Sequence, residues 1–223
     1  MKRFKVTLLA FFLLAMAATT ANASLTFYDN QATFNSVVTT NLIDDYDTGS
    51  PRNVTLSSLT RNGVTYSPLA GVPFPNVYLA DAGYSNFGAG VGTTTSGVLT
   101  TNGDENFLAS FATGVGAVSF DTLRNGLGPT TVSVYSGAIL LGTYTPAGNP
   151  DDIGFLGFIS TNQLITAFEW NSTLGGQINT GIDNLRTAPI AAPVPEPETY
   201  AMLLAGLGLL GAFSRRRRLQ ATR

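Results

Sequence analysis

The chain contains no cysteine and no histidine. Without cysteine there is no disulfide, no thiolate nucleophile, no iron–sulfur cluster and no Cys-based zinc site, so packing has to hold the fold together. Without histidine the commonest general base is missing. Ser-His-Asp and Cys-His catalysis are excluded, and His-ligated zinc, copper and haem with them. An enzyme made from this chain would be left with carboxylate, tyrosine or serine chemistry, of which a glycosidase built on two carboxylates is the simplest form. Lysine occurs only at Lys2 and Lys5. Between Ser24 and Ala192 the cations are Arg52, Arg61, Arg124 and Arg186, set against twelve carboxylates for a net charge of −8. No basic footprint exists to neutralise phosphates, which removes nucleic acid as a partner. An acidic surface confers solubility and is compatible with Ca2+.

Both ends carry address-like features. Lys2, Arg3 and Lys5 precede an apolar run from Val6 to Ala18, and Ala21-Asn22-Ala23 supplies a small-x-small cleavage pattern. Residues 1–23 therefore read as a signal peptide, with Ser24 the mature N-terminus. At the other end come Val194-Pro195-Glu196-Pro197-Glu198, an apolar run from Tyr200 to Phe213, and Arg215, Arg216, Arg217 and Arg218. Pro195 and Pro197 lack a backbone N–H and push the residue before them toward extended geometry, so no helix runs back into the body. Ala201 to Phe213 as a helix spans roughly 20 Å. That is short of the hydrocarbon core of about 30 Å, as suits an anchor held briefly and then cut. The arginines place that end on the cytoplasmic side. Gly206, Gly208 and Gly211 spell GxGxxG inside the apolar run, where no strand-turn-helix exists to make it a dinucleotide site.

This tripartite tail resembles the PEP-CTERM sorting signal of Gram-negative bacteria that build an extracellular polysaccharide matrix, with Pro195-Glu196-Pro197 in the place of that family's Pro-Glu-Pro. The resemblance implies transient residence in the inner membrane, processing by an exosortase-type enzyme, and delivery to the cell surface or matrix.

The body, residues 24–188, is long enough for one domain with a proper core. Pro189 to Thr199 reads as a Pro-rich linker, 200–214 as a short transmembrane helix and 215–223 as a basic cytoplasmic tail. Short apolar or alternating segments separated by Gly, Asn, Pro, Ser and Thr predict an all-β, antiparallel, jelly-roll-like sandwich. Expected strands are Leu42–Tyr46, Gly63–Ser67, Asn76–Ala80, Phe107–Phe111, Gly116–Leu123, Thr131–Tyr135, Ile139–Tyr144, Phe155–Ser160, Leu164–Asn171 and Gly181–Arg186. A turn or two of helix is expected over Asn30–Val38, capped by Asn30, with Phe34 and Val37 or Val38 on one face. Thr131–Tyr135 and Ile139–Tyr144 form the clearest hairpin. In the preceding strand Val118 and Phe120 face the core while Ser119 and Asp121 face water. The expected core is Val118, Phe120, Val132, Val134, Leu140, Phe155, Phe158, Phe168 and Trp170. Gly83 to Gly103, rich in Gly, Thr and Ser, reads as a long surface loop or edge.

Gly63-Val64-Thr65-Tyr66, Gly116-Ala117-Val118-Ser119-Phe120, Leu141-Gly142-Thr143-Tyr144, Phe155 to Ser160 and Gly181-Ile182-Asp183-Asn184-Leu185 follow an order similar to that of β-sandwich proteins bearing such tails. Those are similar in turn to jelly-roll domains of the carbohydrate-binding-module type. The resemblance implies that Asp183 stands where such domains place a Ca2+ ligand. Read from the residues alone, Asp44, Asp45 and Asp47 bring hard oxygen donors together at a strand end, though their spacing is not that of an EF-hand. The plain alternative is turn capping, and Asp151-Asp152 and Asp104-Glu105 read as turns too. Tyr78, Tyr84 and Phe87 flank the Gly-rich stretch and are candidate stacking platforms for a glycan, or else they close the sandwich edge.

Three functions compete on these features. The first is a non-enzymatic exported β-sandwich at the cell surface or in the matrix, binding extracellular polysaccharide. The second is a glycoside hydrolase or lyase acting on that matrix, which needs two carboxylates roughly 5 to 9.5 Å apart in a cleft, one with a raised pKa. The third is a self-assembling structural surface protein with exposed apolar edges.

Overall fold

The computed structural model describes residues 24–72, 74–101, 106–147, 151–172 and 179–190, and in the tail Leu204, Gly206 and Leu207. The expected signal peptide, the sorting motif, Asp104-Glu105, almost all of the membrane segment and the basic end lie outside the described residues. No helix among the described residues is long and apolar enough to cross a membrane. Residues 1–190 and 191–223 divide into separate units, and the fold below is that of the first.

In chain order the elements are β1 (Leu25–Tyr28), α1 (Gln31–Val37), β2 (Asn41–Asp44), β3 (Thr55–Leu56), β4 (Leu59–Arg61), β5 (Val64–Pro68), β6 (Val77–Ala80), β7 (Val98–Thr100), β8 (Phe107–Val115), β9 (Ala117–Asn125), β10 (Thr130–Ser136), β11 (Ile139–Tyr144), β12 (Asp151–Ser160), β13 (Ile165–Ser172) and β14 (Thr180–Ala188). An eight-stranded sheet runs β1-β12-β9-β14-β7-β6-β3, with β2 also on β14. A six-stranded sheet runs β11-β10-β13-β8-β5-β4. Every pairing is antiparallel. Each of the ten expected strands is present. Four more strands join them, β1, β3, β4 and β7; β3 and β4 are two and three residues long, too short to show alternation, and exist because β6 and β5 offer them partners.

The sheets meet through interleaved aromatic rings. Phe120 of β9 stacks on Phe168 of β13 with centroids 5.1 Å apart and meets Trp170 edge-on at 5.7 Å. Phe158 of β12 meets Phe168 at 5.8 Å, and Phe107 of β8 stacks on Trp170 at 6.3 Å. These five rings are at most 1% exposed. Truncation of any one to alanine costs about 3–5 kcal/mol in transfer and cavity terms, which is how a chain without disulfides holds two layers together.

Parity along the strands explains where the core departs from expectation. Leu140 is 53% exposed. Val134 pairs with Gly142, but Tyr135 pairs with Leu140, leaving Leu141 as an extra residue in β11. That bulge turns Leu140 to the outward face shared with Tyr135 and lets Leu141 reach the core. Phe155 packs on the outer face of the larger sheet, 5.5 Å from Phe34, and does not lie between the layers.

That outer face is covered where solvent was expected. Helix α1 is capped by Asn30, whose Oδ1 accepts from Thr33 N–H at 3.0 Å, and sets Phe34, fully buried, over Gly157. A Cβ at position 157 would come within 2.6 Å of the Phe34 ring, so the docking needs glycine there. Val37 is exposed; Val38 is the residue that packs beside Phe34. Ser119 of β9, expected to face water, is buried. Gly83–Gly103 is likewise no simple surface loop. Its β7 lies between β14 and β6, and Phe87, Val91 and Val98 form a small core with Ala80 and Leu123.

One ion pair buckles the layers at the far edge. Arg61 of β4 donates from Nε to Asp44 Oδ2 and from Nη2 to Asp44 Oδ1, both at 2.7 Å, across from β2 in the other sheet. The side chains are 11% and 2% exposed. Beside them the Tyr46 and Tyr66 hydroxyls are hydrogen-bonded at 2.8 Å. Removing one partner of such a pair strands a buried charge. Asp44→Ala is expected to destabilise the chain by about 3–5 kcal/mol in urea titration, whereas Asp45→Ala, which gives up a hydrogen bond from Asp47 N–H, should shift the midpoint far less.

Candidate functional site

Along β9 the residues Val118, Phe120, Thr122 and Arg124 share one face by the two-residue period of a strand. The row therefore runs from apolar to hydroxyl to cation as it approaches one end of the sandwich. Antiparallel to it, β12 presents Phe158, Leu156, Gly154 and Asp152 opposite those four in the same order. Facing them from the smaller sheet are Thr130 and Val132 of β10, Tyr144 of β11 and Trp170 of β13. Asp29 and the Pro146-Ala147 segment complete a cleft of about 290 Å3.

The floor of this cleft is a satisfied polar network. Trp170 Nε1 donates to Thr180 Oγ1 at 2.8 Å, the Ser172 hydroxyl lies 3.3 Å from Thr180 Oγ1 and 3.2 Å from Thr130 Oγ1, and Ser172 N–H donates to Asn106 at 2.7 Å. The wall is different. Among the described residues the Thr122 hydroxyl, 3% exposed, has no partner, and neither does the buried Arg124 Nε. Arg124 Nη2 lies 3.4 Å from Asp152 Oδ1, with the side chains 13% and 52% exposed. Burial lowers the Arg124 pKa, opposed by Asp152. Tyr144 is raised, first by burial and then by the negative charge of Asp29. A buried hydroxyl or N–H without a partner costs about 1–3 kcal/mol, and both atoms are sealed beneath the wall. Gly154 packs against them: a Cβ there would stand 2.9 Å from Thr122 Oγ1 and 3.1 Å from Arg124 Nη2, so glycine is what lets β12 lie this close to that row.

Sequence reasoning does not find this cleft, although the signal is present. Extending the Val118/Phe120 alternation by four residues puts Thr122 and Arg124 on the core face. Asp151-Asp152, read as a turn, opens strand β12 and brings Asp152 to the cleft.

The residues singled out in the sequence have other placements. Tyr78, Tyr84 and Phe87 do meet, with centroids 5.8 Å apart for Tyr78–Tyr84 and 5.3 Å for Tyr84–Phe87. Phe87 is fully buried and offers no free face; the two tyrosines are half-buried around it. The four aspartates have separate jobs. Asp44 holds Arg61, Asp45 Oδ1 accepts from Asp47 N–H at 3.1 Å, and Asp47 Oδ1 accepts from Gly97 N–H at 2.7 Å. Asp183 sits where β14 leaves regular register with β9, just before Asn184 at φ 52°. It accepts from Ser96 Oγ and from Asn184 N–H, each at 2.6 Å. Arg186, two residues further along than Asn184, lies 3.8 Å from Asp121. Among the described residues no group of three or more acidic side chains is placed to hold a metal ion.

The body is thus an antiparallel β-sandwich with a polar cleft between its sheets. Residues 193–218 match the PEP-CTERM protein-sorting motif, so the chain carries that sorting signal behind an all-β body. No curated protein matches it. Solved structures similar to it include a mutant family 29 carbohydrate binding module complexed with mannohexaose, 12% identical over 70% of this chain and 98% of that one, with a TM-score of 0.34. Another is a second mutant of that module family, 13% identical over 71% and 98%, with a TM-score of 0.33. At this distance the matches lend nothing to the choice of a ligand.

Burial lifts the Asp183 carboxyl to about 6, against the two hydrogen bonds that favour its charged form. A carboxyl raised in the folded state holds its proton there at pH values where the unfolded chain has lost it, so its contribution favours folding as pH falls through the folded pKa. The melting temperature is expected to rise between pH 7 and pH 5, and Asp183→Asn should flatten that slope in a thermal scan.

Proposed function

We propose that this is an exported, non-enzymatic β-sandwich that binds extracellular polysaccharide at the cell surface or in the matrix, using the cleft between its sheets. The observation that carries the reading is the cleft of about 290 Å3 in which Arg124, Asp152 and Asp29 stand beside the ring surfaces of Tyr144 and Trp170. A hydroxyl-rich ligand is held by charged donors and acceptors of this kind set beside apolar ring surface. The PEP-CTERM motif supports export and processing by an exosortase-type enzyme after passage through the inner membrane. A Gram-negative cell surface is the destination this reading assigns.

Binding is favoured over hydrolysis because Asp183, the carboxyl that burial lifts, does not line the cleft and has both oxygens engaged. A general acid needs that raised pKa at the reacting bond. Ca2+ has no part in this reading. The Tyr78–Tyr84 pair is the second place where a sugar ring could stack.

Co-sedimentation of the full chain with polysaccharide extracted from the matrix of its host tests the proposal. Arg124→Ala leaves Asp152 half-exposed to water and so should fold. It is expected to reduce the bound fraction at least fivefold, while Tyr84→Ala retains it. Loss of binding in Tyr84→Ala alone would move the site to the tyrosine pair, and absence of binding in the parent chain would end the proposal.

A further inference from the structure

We infer that the terminal strand β11 is an interface, paired antiparallel about a two-fold axis with β11 of a second copy of this chain. The inference goes beyond glycan binding and does not depend on it.

The smaller sheet ends in β4 on one side and in β11 on the other. A terminal strand presents a row of unpaired N–H and C=O groups, and folds that stay monomeric blunt it by short length, charge, proline or cover. β4 is blunted: it is three residues long and ends in Arg61, locked to Asp44. In the larger sheet the terminal β3 has two residues. β11 runs for six, Ile139–Tyr144, pairs with β10, and among the described residues no strand takes up its far side. It carries neither charge nor proline. Its one irregularity, the bulge at Leu141, sets Leu140 outward at 53% exposure beside Ile139 at 59%, so an aliphatic group stands where a guarding charge would be. Regular pairing holds from Gly142 to Tyr144.

Charge identifies the occupant. No charged residue stands between Arg124 and Asp151, a stretch of twenty-six residues that contains the whole β10–β11 hairpin, in a body whose net charge is −8. Two such bodies repel wherever their carboxylates face each other, and this hairpin is where they meet without that repulsion. A basic partner would call for the opposite, carboxylates along the edge. Backbone pairing needs another strand, and an uncharged strand set antiparallel to its own copy meets that need, because each supplies the same row of donors and acceptors to the other. The second layer adds to the contact. β1 of the larger sheet is also uncharged and lies against β11, with Phe27 stacked on Tyr144 at 5.2 Å and a Leu25 methyl 3.0 Å from where a Cβ at Gly142 would stand. Both layers end on this side, so the two-fold axis brings apolar residues of both together.

Sedimentation velocity of the full chain in detergent is expected to show single chains at low concentration passing to pairs as concentration rises. Leu140→Lys, at a side chain already half in water, should keep the melting temperature and weaken association about tenfold or more, because the axis sets like charges near each other. Leu42→Lys, equally exposed at 53%, and Leu127→Lys, at 60%, should leave association unchanged. The chain has no cysteine, so one introduced cysteine carries a single nitroxide label. Strands lie about 4.8 Å apart, so labels on Thr143→Cys of the two copies are expected within about 20 Å of each other. Six strands from each copy make a joined sheet of twelve with β4 at both ends, which puts labels on Thr60→Cys roughly 50 Å apart.

A chain that stays single at every concentration overturns the inference. A pair that Leu140→Lys leaves intact also overturns it and moves the contact elsewhere, the apolar tail included. Loss of association in Leu42→Lys or Leu127→Lys as large as in Leu140→Lys would make the effect one of overall charge and overturn the assigned edge. Thr143 labels no closer than the Thr60 labels would take β11 away from the axis.

Discussion

Interleaving of Phe107, Phe120, Phe158, Phe168 and Trp170 between the sheets is the constraint from which the rest of the molecule follows. In the absence of disulfides, hydrophobic burial has to fix both the spacing and the lateral register of the layers, and flat rigid rings do so with few torsions to order. Where the aromatic rows stop, at Thr122 and Arg124 on one side and Tyr144 on the other, the layers no longer have ring surface to share. The cleft is therefore the place where the core ends, floored by the last ring of the row.

That position reconciles two opposed demands on the same strand. β9 is central in its sheet, flanked by β12 and β14, so its backbone is tied down along its length and its side chains are held in place. Thr122 and Arg124 thus sit on a rigid element and not on a loop. Leaving Thr122 Oγ1 and Arg124 Nε without partners is destabilising, a cost that the aromatic core elsewhere can absorb. At the other edge the Arg61–Asp44 pair does the reverse: every strong group is matched, and the layers are locked.

Strands with clean alternation or apolar runs, such as Thr131–Tyr135 and Phe155–Ser160, were legible because a period of two is a local property of the chain. The hairpin turn and the Asn30 cap were legible for the same reason. Leu140 was not, because one bulged residue reverses parity for everything beyond it and nothing in the local sequence marks the bulge. β7 was hidden among glycines and threonines, its place decided by β6 and β14 on either side. Phe87 looked like an exposed platform beside a loop, and became buried because that loop folds back over the outer face of β14 and β9.

By itself the sequence determined the excluded chemistries, the acidic body, the all-β class and the sorting signal, since composition, short-range periodicity and a contiguous motif need no knowledge of neighbours in space. Only the tertiary structure decided that Thr122 and Arg124 of β9, Gly154 and Asp152 of β12, and Tyr144 and Trp170 of the opposite sheet share one cleft. These residues are far apart along the chain and come together through strand register and sheet stacking, which are long-range pairings that no local pattern encodes.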